Sequence, residues 1–325
     1  KKPRSISNEV QISGLLLSGL LKRFESSSVA FSNTCKRMMD ANDSFLKALD
    51  KGLVLKGEDL TEWMSTDTDD IDDFIMEKSK EESAKLYDVD RLKKAVLGDK
   101  ELLEKFHNIT KTINPDEDPK IEKLTDVLSE ILEKADSEGI DSEDKRNKSK
   151  TIIFSYYKDT AQWIYDCLKV ATKNNPVLSR LENRIAMVSG DNSSRESAVF
   201  GFAPVSAESP TGDDIYDVLI TTDVLSEGVN LQQARNIINY DLPWNPMKLV
   251  QRHGRIDRIG SNHKRVYIKC FFPDEKLDNI LGLEHRLKIK LSEASAGVGI
   301  ENEVIPGTRT SDVNYTETRK EIEQL

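Results

Sequence analysis

From residue 151 onward, short runs of β-branched and other apolar residues alternate with segments of helical spacing. The runs expected to form strands are 151–154, 185–188, 217–221, 235–240 and 265–271, with helices expected at 159–172 and 246–258. Strands that are apolar throughout are buried on both faces, and helices between successive strands favour a parallel arrangement. The sequence therefore predicts an α/β fold, a parallel sheet with helices on both faces.

The charges in this chain are unevenly distributed. The 325 residues include 47 Lys and Arg against 57 Asp and Glu, a formal net charge of −10, which argues against a protein that coats nucleic acid by charge alone. Between Pro246 and Lys269, however, seven basic residues accompany a single acid, Asp257. A local basic surface is therefore compatible with the acidic total.

The spacing of cysteine and histidine predicts neither disulfides nor a metal site. The three cysteines lie far apart, no C-x-x-C pair occurs, and the four histidines have no ligand spacing. We expect free thiols in a reducing, cytoplasmic compartment. No apolar run approaches the ~18 residues that span a membrane, and no signal peptide is recognisable. Because the sequence opens on Lys1 rather than Met, we expect a piece of a longer polypeptide.

The chain before residue 118 has a different pattern. Residues 10–50 have helical spacing, residues 58–82 hold eleven acids against two lysines, and residues 83–113 have an amphipathic pattern. Apolar residues within the acidic segment argue against pure disorder, so we expect an acidic helical excursion there. The expected organisation is a helical segment at 1–55, an acidic helical insertion at 56–117, an α/β lobe at 118–273 with a charged linker at 133–150, and a helical then irregular tail at 274–325.

Polar residues follow four of the expected strands. Ligands of an open parallel sheet bind beyond the carboxyl ends of its strands. Four ordinary loops are the plain alternative, but four polar loops beside a basic segment favour a binding site. Asn245 is also a credible N-cap for the helix that starts near Pro246. The residues at these strand ends are Ser155, Ser189, Gly190, Thr221, Thr222 and Asn245.

The segment 251–260 concentrates arginines beside an amide. On a helix, Gln251, Arg255 and Arg258 fall within an arc of roughly 60°. Two guanidinium groups that point the same way suit a polyphosphate whose charge grows during reaction. A solvated basic helix is the alternative, but Gly254 and Gly260 interrupt the segment where such a helix prefers Ala, Glu or Lys. The pattern favours an anion site.

Phosphate-binding loops are absent from the sequence. It contains no G-x-x-x-x-G-K-[ST] motif, no G-x-G-x-x-G after a strand and no acidic strand end of the Walker B kind. The chain therefore has arginines for a nucleotide but no loop to hold its phosphates or magnesium. A self-contained nucleotide-binding enzyme is disfavoured for that reason.

These segments resemble motifs of superfamily-two helicases. Residues 222–231 and 251–259 are similar to motifs V and VI, in the style of the bacterial Swi/Snf ATPases, and residues 151–160 resemble motif IV. Residues 20–31 resemble the helical segment that precedes the second RecA-like lobe in those proteins. The resemblance implies a C-terminal RecA-like lobe of a DNA-binding helicase or translocase.

The resemblance also implies roles for individual residues. Arg255 and Arg258 would be arginine fingers for ATP, supported by Gln251, while ATP and Mg²⁺ would be held mainly by a missing first lobe. Glu227, Gly228 and Asn230 would contact ATP. The residues implied to contact nucleic acid, DNA rather than RNA, are Ser155, Ser189, Gly190, Thr221 and Thr222, and we expect Lys264 and Arg265 to add phosphate contacts.

Two functions therefore remain open from the sequence. The first is a motor lobe that is inactive alone because it lacks the P-loop lobe of the same polypeptide. The second is a non-catalytic α/β protein-interaction module whose acidic insertion docks a protein partner. A Walker A lysine upstream in the full-length reading frame would favour the motor.

Overall fold

The computed structural model describes residues 3–50, 52–57, 79–83, 87–190, 192–225, 229–257, 261 and 263–298. In chain order the helices are α1 (Pro3–Ser26), α2 (Ser28–Asp50), α3 (Val89–Thr110), α4 (Pro119–Glu138), α5 (Ser142–Ser149), α6 (Lys158–Asn174), α7 (Asn192–Phe202), α8 (Pro246–His253), α9 (Glu275–Leu281) and α10 (Leu283–Val298). The strands are β1 (Leu53–Gly57), β2 (Ser79–Ser83), β3 (Thr151–Phe154), β4 (Ile185–Val188), β5 (Val218–Thr221), β6 (Asn236–Asn239) and β7 (Tyr267–Cys270).

The chain divides into two compact units. One comprises Lys1–Glu130 and Tyr157–Arg180, and the other comprises Ile131–Tyr156 and Leu181–Leu325. The first unit contains α1, α2, α3, α6 and the β1–β2 pair, while the second contains the five-stranded sheet.

The first unit is built on helices, as the apolar spacing predicts. Phe31 on α2 is 8% exposed and makes edge-on ring contacts with Phe24 on α1 and Phe106 on α3, at centroid distances of 5.3 and 5.9 Å. Asp118 caps α4 by accepting hydrogen bonds from the backbone amides of its first turn, and it also accepts one from Trp163 Nε1 at 2.9 Å. Trp163 therefore serves the structure of this unit.

The predictions of an acidic helical excursion at 58–82 and of an amphipathic helix at 83–113 are wrong for residues 79–83. Those residues form β2, which pairs antiparallel with β1 in the register Leu53↔Ser83 to Gly57↔Ser79. The sequence Ser-Lys-Glu-Glu-Ser has no apolar period, and its pairing comes from backbone hydrogen bonds that side-chain patterns do not report. The rest of the predicted excursion, residues 58–78, lies outside the described residues.

The prediction of a charged linker at 133–150 is also wrong. Helix α4 continues to Glu138, and α5 begins after Asp141, whose side chain accepts a hydrogen bond from the Asp144 amide at 2.8 Å. Arg146 and Lys148 form ion pairs, and the Lys150 side chain is fully buried. Other charges of the segment, such as Glu133 and Asp136, are exposed. A high density of charged residues in the sequence therefore does not mark a linker here.

The second unit contains the predicted parallel sheet with helices on both faces. Its strand order is β4-β5-β3-β6-β7, and every pair is parallel. All residues of β3, β5 and β6 are buried, as expected for strands covered on both faces. The predicted RecA-like architecture is confirmed, and β3 lies at its centre.

The amino edge of the sheet is held by a cluster of ion pairs. Asp217, which immediately precedes β5, pairs with Arg146 Nε at 2.9 Å and with Arg184. Lys150, which immediately precedes β3, donates to Asp214 Oδ1 at 2.6 Å and to the carbonyls of Phe202 and Tyr216 at 2.6 and 2.7 Å. Burial lowers the pKa of the Lys150 ammonium, and its hydrogen bond to Asp214 opposes that shift. The three hydrogen bonds satisfy the buried ammonium.

Candidate functional site

Asp241 joins the loops that follow the two central strands β3 and β6. Its carboxylate is fully buried and accepts hydrogen bonds from Ser155 Oγ at 2.8 Å and from the Tyr156 amide at 2.6 Å. The Ser155 amide in turn donates to the Thr221 carbonyl at the end of β5, at 3.0 Å. Buried carboxylates that accept several hydrogen bonds are strong anchors. The loops after β3, β5 and β6 are therefore fixed relative to one another.

The structure places the predicted nucleic-acid residues at two edges of the sheet. Ser155 and Thr221 are fully buried, and the Thr221 hydroxyl donates to the Thr222 carbonyl at 3.0 Å. Thr222 is half-buried, as is Ser189 after β4, while Gly190 is exposed with φ at +84°, a conformation that glycine adopts easily. Each of these residues ends a strand or lies within two residues after one, so they share the carboxyl edge.

Lys264 and Arg265 lie at the other edge. Both are exposed and directly precede the half-buried Val266 and strand β7, which runs parallel to β6. The amino end of a parallel strand is at the opposite edge of the sheet from the carboxyl ends. The structure therefore does not bring these two cations together with Thr222, Ser189 and Gly190.

Helix α8 begins as predicted but ends earlier. The Asn245 side chain accepts a hydrogen bond from the Met247 amide at 3.0 Å, and Pro246 occupies the first turn, which confirms the N-cap prediction. The helix ends at His253 rather than at residue 258, so that part of the prediction is wrong. After Gly254 the backbone continues in tight turns, with the Arg255 amide bonded to the Arg252 carbonyl at 3.1 Å. Glycine and three-residue hydrogen bonds both weaken a continuing α-helix.

The turn after α8 brings Arg255 against the loop that contains Asn230. Arg255 is half-buried, and its Nε donates to the Gln251 carbonyl at 3.3 Å, while Nη1 lies 3.5 Å from the Val229 carbonyl. The Leu231 amide donates to the Arg255 carbonyl at 3.3 Å. Gln251 and Asn230 have exposed side chains. Of the predicted ATP residues, Arg255, Gln251 and Asn230 therefore lie in two segments in direct contact.

Three predicted residues lie outside the described residues. Glu227 and Gly228, predicted to contact ATP, and Arg258, predicted as the second arginine finger, belong to this group. Their roles stay predictions.

Arg252 was not among the predicted site residues, yet its side chain is fully buried at the carboxyl edge. Its Nε pairs with Asp223 Oδ1 at 2.6 Å, and its Nη1 donates to Asn239 Oδ1 at 3.1 Å. The guanidinium carbon lies 5.1 Å from the centre of the Phe154 ring. Nη2 is buried and has no hydrogen-bond partner among the described residues. Arg252 thus connects α8 with the ends of β3, β5 and β6.

A sequence signal for Arg252 did exist. Leu249, Arg252, His253 and Ile256 are buried at spacings of three and four, which marks the inner face of α8 and its following turn. An arginine on a buried face needs an acid or an amide nearby. Asp223 is such an acid, because it directly follows Thr221 and Thr222 at the end of β5.

His253 is the neutral member of this network. The guanidinium of Arg252 has only donors, so the oxygen of the Asn239 side-chain amide must face Arg252. The nitrogen of that amide, Nδ2, therefore faces His253 Nε2 at 3.2 Å. Nε2 therefore accepts, and the ring is neutral. Burial, with the charge of Arg252 as a second cause, lowers the pKa of His253 to about 4.

A cavity of about 430 Å³ lies beside the Asn230 loop. It is lined by the α7 residues Arg195 and Phe200, by Glu208 after that helix, and by Val229 and Asn230. The Ser206 hydroxyl donates to the Asn230 carbonyl at 3.2 Å, which connects the two walls. The segment that follows α7 therefore holds Asn230 in place through this hydrogen bond.

The described part of the chain contains neither a metal-binding cluster nor a membrane-spanning helix. No group of three or more His, Cys, Asp or Glu side chains there is arranged to hold a metal ion. No helix within those residues is long and apolar enough to cross a membrane.

Part of the chain is similar to known proteins. Residues 120–260 match the family described as the helicase conserved C-terminal domain. A 43-residue segment is 63% identical to YqhH of Bacillus subtilis (strain 168), named an uncharacterized ATP-dependent helicase, over 13% of this chain and 8% of that protein. Eukaryotic initiation factor 4A of Cryptosporidium parvum is 37% identical over 81 residues, 25% of this chain and 19% of that protein.

Solved structures give weaker likenesses. The C-terminal part of the Fun30 ATPase domain is 20% identical with a TM-score of 0.35, over 55% of this chain and 54% of that one. The C-terminal domain of the DEAD-box protein Dbp5 is 25% identical with a TM-score of 0.31, over 54% of this chain and 82% of that one.

The sequence comparisons support a helicase C-terminal lobe for residues 120–260. The matched segments span less than a fifth of the length of the curated relatives named above. ATP-dependent helicase activity is therefore stated of YqhH alone.

Proposed function

We propose that this chain supplies the second motor lobe of a longer ATP-dependent nucleic-acid translocase or helicase, of the bacterial Swi/Snf type that its motifs resemble. A first RecA-like lobe of the same polypeptide would hold most of the ATP and Mg²⁺. The residues proposed to meet the nucleotide from this side are Arg255, Arg258, Gln251, Glu227, Gly228 and Asn230.

The contact between Arg255 and the 229–231 loop carries this proposal. Both segments belong to the region that matches the helicase C-terminal domain. The hydrogen bonds of Arg255 with Val229 and Leu231 hold a guanidinium beside the exposed Asn230. A preorganised guanidinium stabilises the charge that develops on a transferring phosphoryl group. The geometry supports an arginine finger that acts on ATP bound elsewhere.

The carboxyl edge would also grip the nucleic-acid backbone. Thr222, Ser189 and Gly190 are accessible there, and small hydroxyls and backbone amides hold phosphates without reading sequence. The buried Ser155 and Thr221 would support this surface by fixing its loops. DNA is the proposed track, the cytoplasm the proposed compartment, and the acidic insertion at residues 56–117 a proposed docking site for a protein partner.

The test is turnover in the full-length protein. Arg255→Ala and Arg258→Ala should each lower the ATPase rate by about 10³-fold or more, with ATP affinity largely kept, because arginine fingers act on the transition state. Steady-state ATPase rates with duplex DNA, single-stranded DNA and RNA, together with a binding titration of labelled ATP, measure both quantities. The isolated chain should show no turnover.

Arg91→Ala is the matched control, since Arg91 is an exposed arginine on α3. It should leave turnover unchanged. Normal ATPase rates in both the Arg255 and Arg258 variants would reject the motor assignment and leave a non-catalytic interaction module.

A further inference from the structure

The turn that contains Arg255 is held by the carbonyls of the last two residues of α8. The Arg252 carbonyl accepts a hydrogen bond from the Arg255 amide at 3.1 Å. The His253 carbonyl accepts two, from the Ile256 amide at 3.1 Å and from the Asp257 amide at 3.0 Å. The direction in which the Arg255 side chain leaves this turn therefore depends on where residues 252 and 253 lie.

One amide side chain contacts both of these residues. Asn239 Oδ1 accepts a hydrogen bond from Arg252 Nη1 at 3.1 Å, and Asn239 Nδ2 lies 3.2 Å from His253 Nε2. The same Nδ2 lies 3.5 Å from Cys270 Sγ, a weaker acceptor. Arg252 and Asn239 are fully buried, and His253 is 7% exposed. Buried hydrogen-bonded groups keep one arrangement, because any other leaves a polar atom unsatisfied.

Asn239 lies on an interior strand of the sheet. It is the last residue of β6, and it is opposite Phe154 of β3 on one side and Cys270 of β7 on the other. Its carbonyl accepts a hydrogen bond from the Phe271 amide at 2.9 Å. Side chains on strands are positioned more precisely than side chains on loops. The position of the turn after α8 therefore follows that of the sheet.

Burial of Ile256 also holds the turn. Ile256 is fully buried and belongs to the apolar cluster that includes Phe154 and Ile237. Apolar burial is non-directional, whereas hydrogen bonds depend on angle as well as distance. Burial therefore keeps the turn against the sheet, and the hydrogen bonds of residues 252 and 253 set the direction of Arg255.

We infer that Asn239 is a positioning residue for the proposed arginine finger and that it acts through Arg252 and His253. This inference rests on the proposed function. The Asn239 amide holds the two residues whose carbonyls order the turn, so that Arg255 faces ATP before the chemical step. A misplacement of about 1 Å at a reacting group lowers a rate by up to about 100-fold, so loss of this amide should slow turnover.

Asn239→Leu in the full-length protein removes both side-chain hydrogen bonds while keeping a side chain of similar size. Turnover at saturating ATP should fall by about tenfold or more, while the affinity for labelled ATP is kept. In a hydrogen-exchange measurement, the amides of residues 255–257 should exchange about tenfold faster or more. A contact that only stabilises the fold would lower the melting temperature and leave turnover unchanged below it.

Asn236→Leu is the matched control, because Asn236 lies on the same strand at the opposite edge of the sheet. Its side-chain amide also donates two hydrogen bonds, to the carbonyls of Lys148 and Lys150 at 2.9 and 3.0 Å. This variant should unfold at a lower temperature than the wild type. Its turnover and the exchange of amides 255–257 should stay normal.

Two variants of His253 test the inference independently and decide the question if Asn239→Leu does not fold. His253→Leu removes the partner of Asn239 Nδ2 and should lower turnover by about fivefold. His253→Gln keeps a hydrogen-bonding partner for that nitrogen and should restore turnover to within about twofold of the wild type.

Wild-type turnover in His253→Leu, or in a folded Asn239→Leu, would overturn the inference and leave the turn fixed by burial of Ile256. Equal losses in His253→Leu and His253→Gln would overturn it as well. The two proposals fail differently. If Arg255→Ala abolishes turnover while Asn239→Leu behaves as the wild type, the motor assignment stands and Asn239 is structural. If Arg255→Ala turns over normally, the motor assignment falls, and the inference falls with it.

Discussion

The neutral His253 ring makes the stability of the second unit depend on pH. Nε2 accepts a hydrogen bond from Asn239, and burial lowers the pKa of the ring from 6.5 to about 4. In the unfolded chain the ring takes up a proton near its ordinary pKa. The unfolded state therefore binds more protons between these two values, so the stabilisation is complete above about pH 6.5 and is lost as the pH falls towards about 4.

The size of the effect follows from the two pKa values. The free energy of unfolding should fall by about 2 kcal/mol between about pH 7.5 and about pH 5, and by about 3 kcal/mol at about pH 4. His253→Gln keeps an acceptor for Asn239 Nδ2 but does not titrate. The free energy of unfolding of this variant should therefore not show the decrease that His253 causes.

Urea denaturation at several pH values measures the difference. Burial also lowers the pKa of His263, so both proteins should carry His263→Gln to remove that contribution. Every other titrating group, Asp214 included, is present in both proteins, so its contribution cancels in the difference between their free energies of unfolding. Equal losses of free energy in the two proteins would show that His253 is not held neutral, and the Arg252–Asn239–His253 arrangement would then need revision.

Four further outcomes are expected. Gly139→Ala should destabilise the chain by about 1–3 kcal/mol, because its methyl group would lie 2.8 Å from the Ala135 carbonyl and 2.9 Å from Lys145 Cα. Gly98→Ala, on an exposed position of α3 with open space, should stabilise by about 1 kcal/mol in the same urea titration. Asp118→Ala should cost about 1–2 kcal/mol by removing the cap of α4, and Asp118→Asn should cost less. Replacing Lys264 and Arg265 with Gln should leave the salt slope of nucleic-acid binding unchanged if the strand follows the carboxyl edge, and a shallower slope would place a phosphate at the amino edge.

The sheet could be predicted because its strands are largely apolar and most of them follow a helix. Burial on both faces requires a nearly continuous run of apolar residues, as in Thr151–Phe154. The parallel arrangement and the N-cap at Asn245 follow from local chemistry. Strand order depends on which strands pair across long separations in the chain, and local apolar spacing does not report that pairing.

The features that the sequence did not predict have two physical causes. The end of α8 at His253 depends on local turns after Gly254, which the helical spacing of the arginines does not report. The pairing of 79–83 depends on backbone hydrogen bonds with β1, and the buried arginine at 252 is stabilised by Asp223 and Asn239. In these two cases the deciding partner is not a neighbour in the chain. Periodicity reports local burial, so it misses such pairs.

The ionic cluster around Asp217 and Lys150 has a consequence for engineering. It anchors the starts of β3 and β5 to α5 and to the residues just before β4, far from the loops at the other end of the strands. The ion pairs that hold the sheet and the residues proposed to contact ligands therefore lie at opposite ends of the same short strands. Exchange of the segments after β4 and β5 should leave the ion pairs intact, whereas exchange at the opposite end should break them.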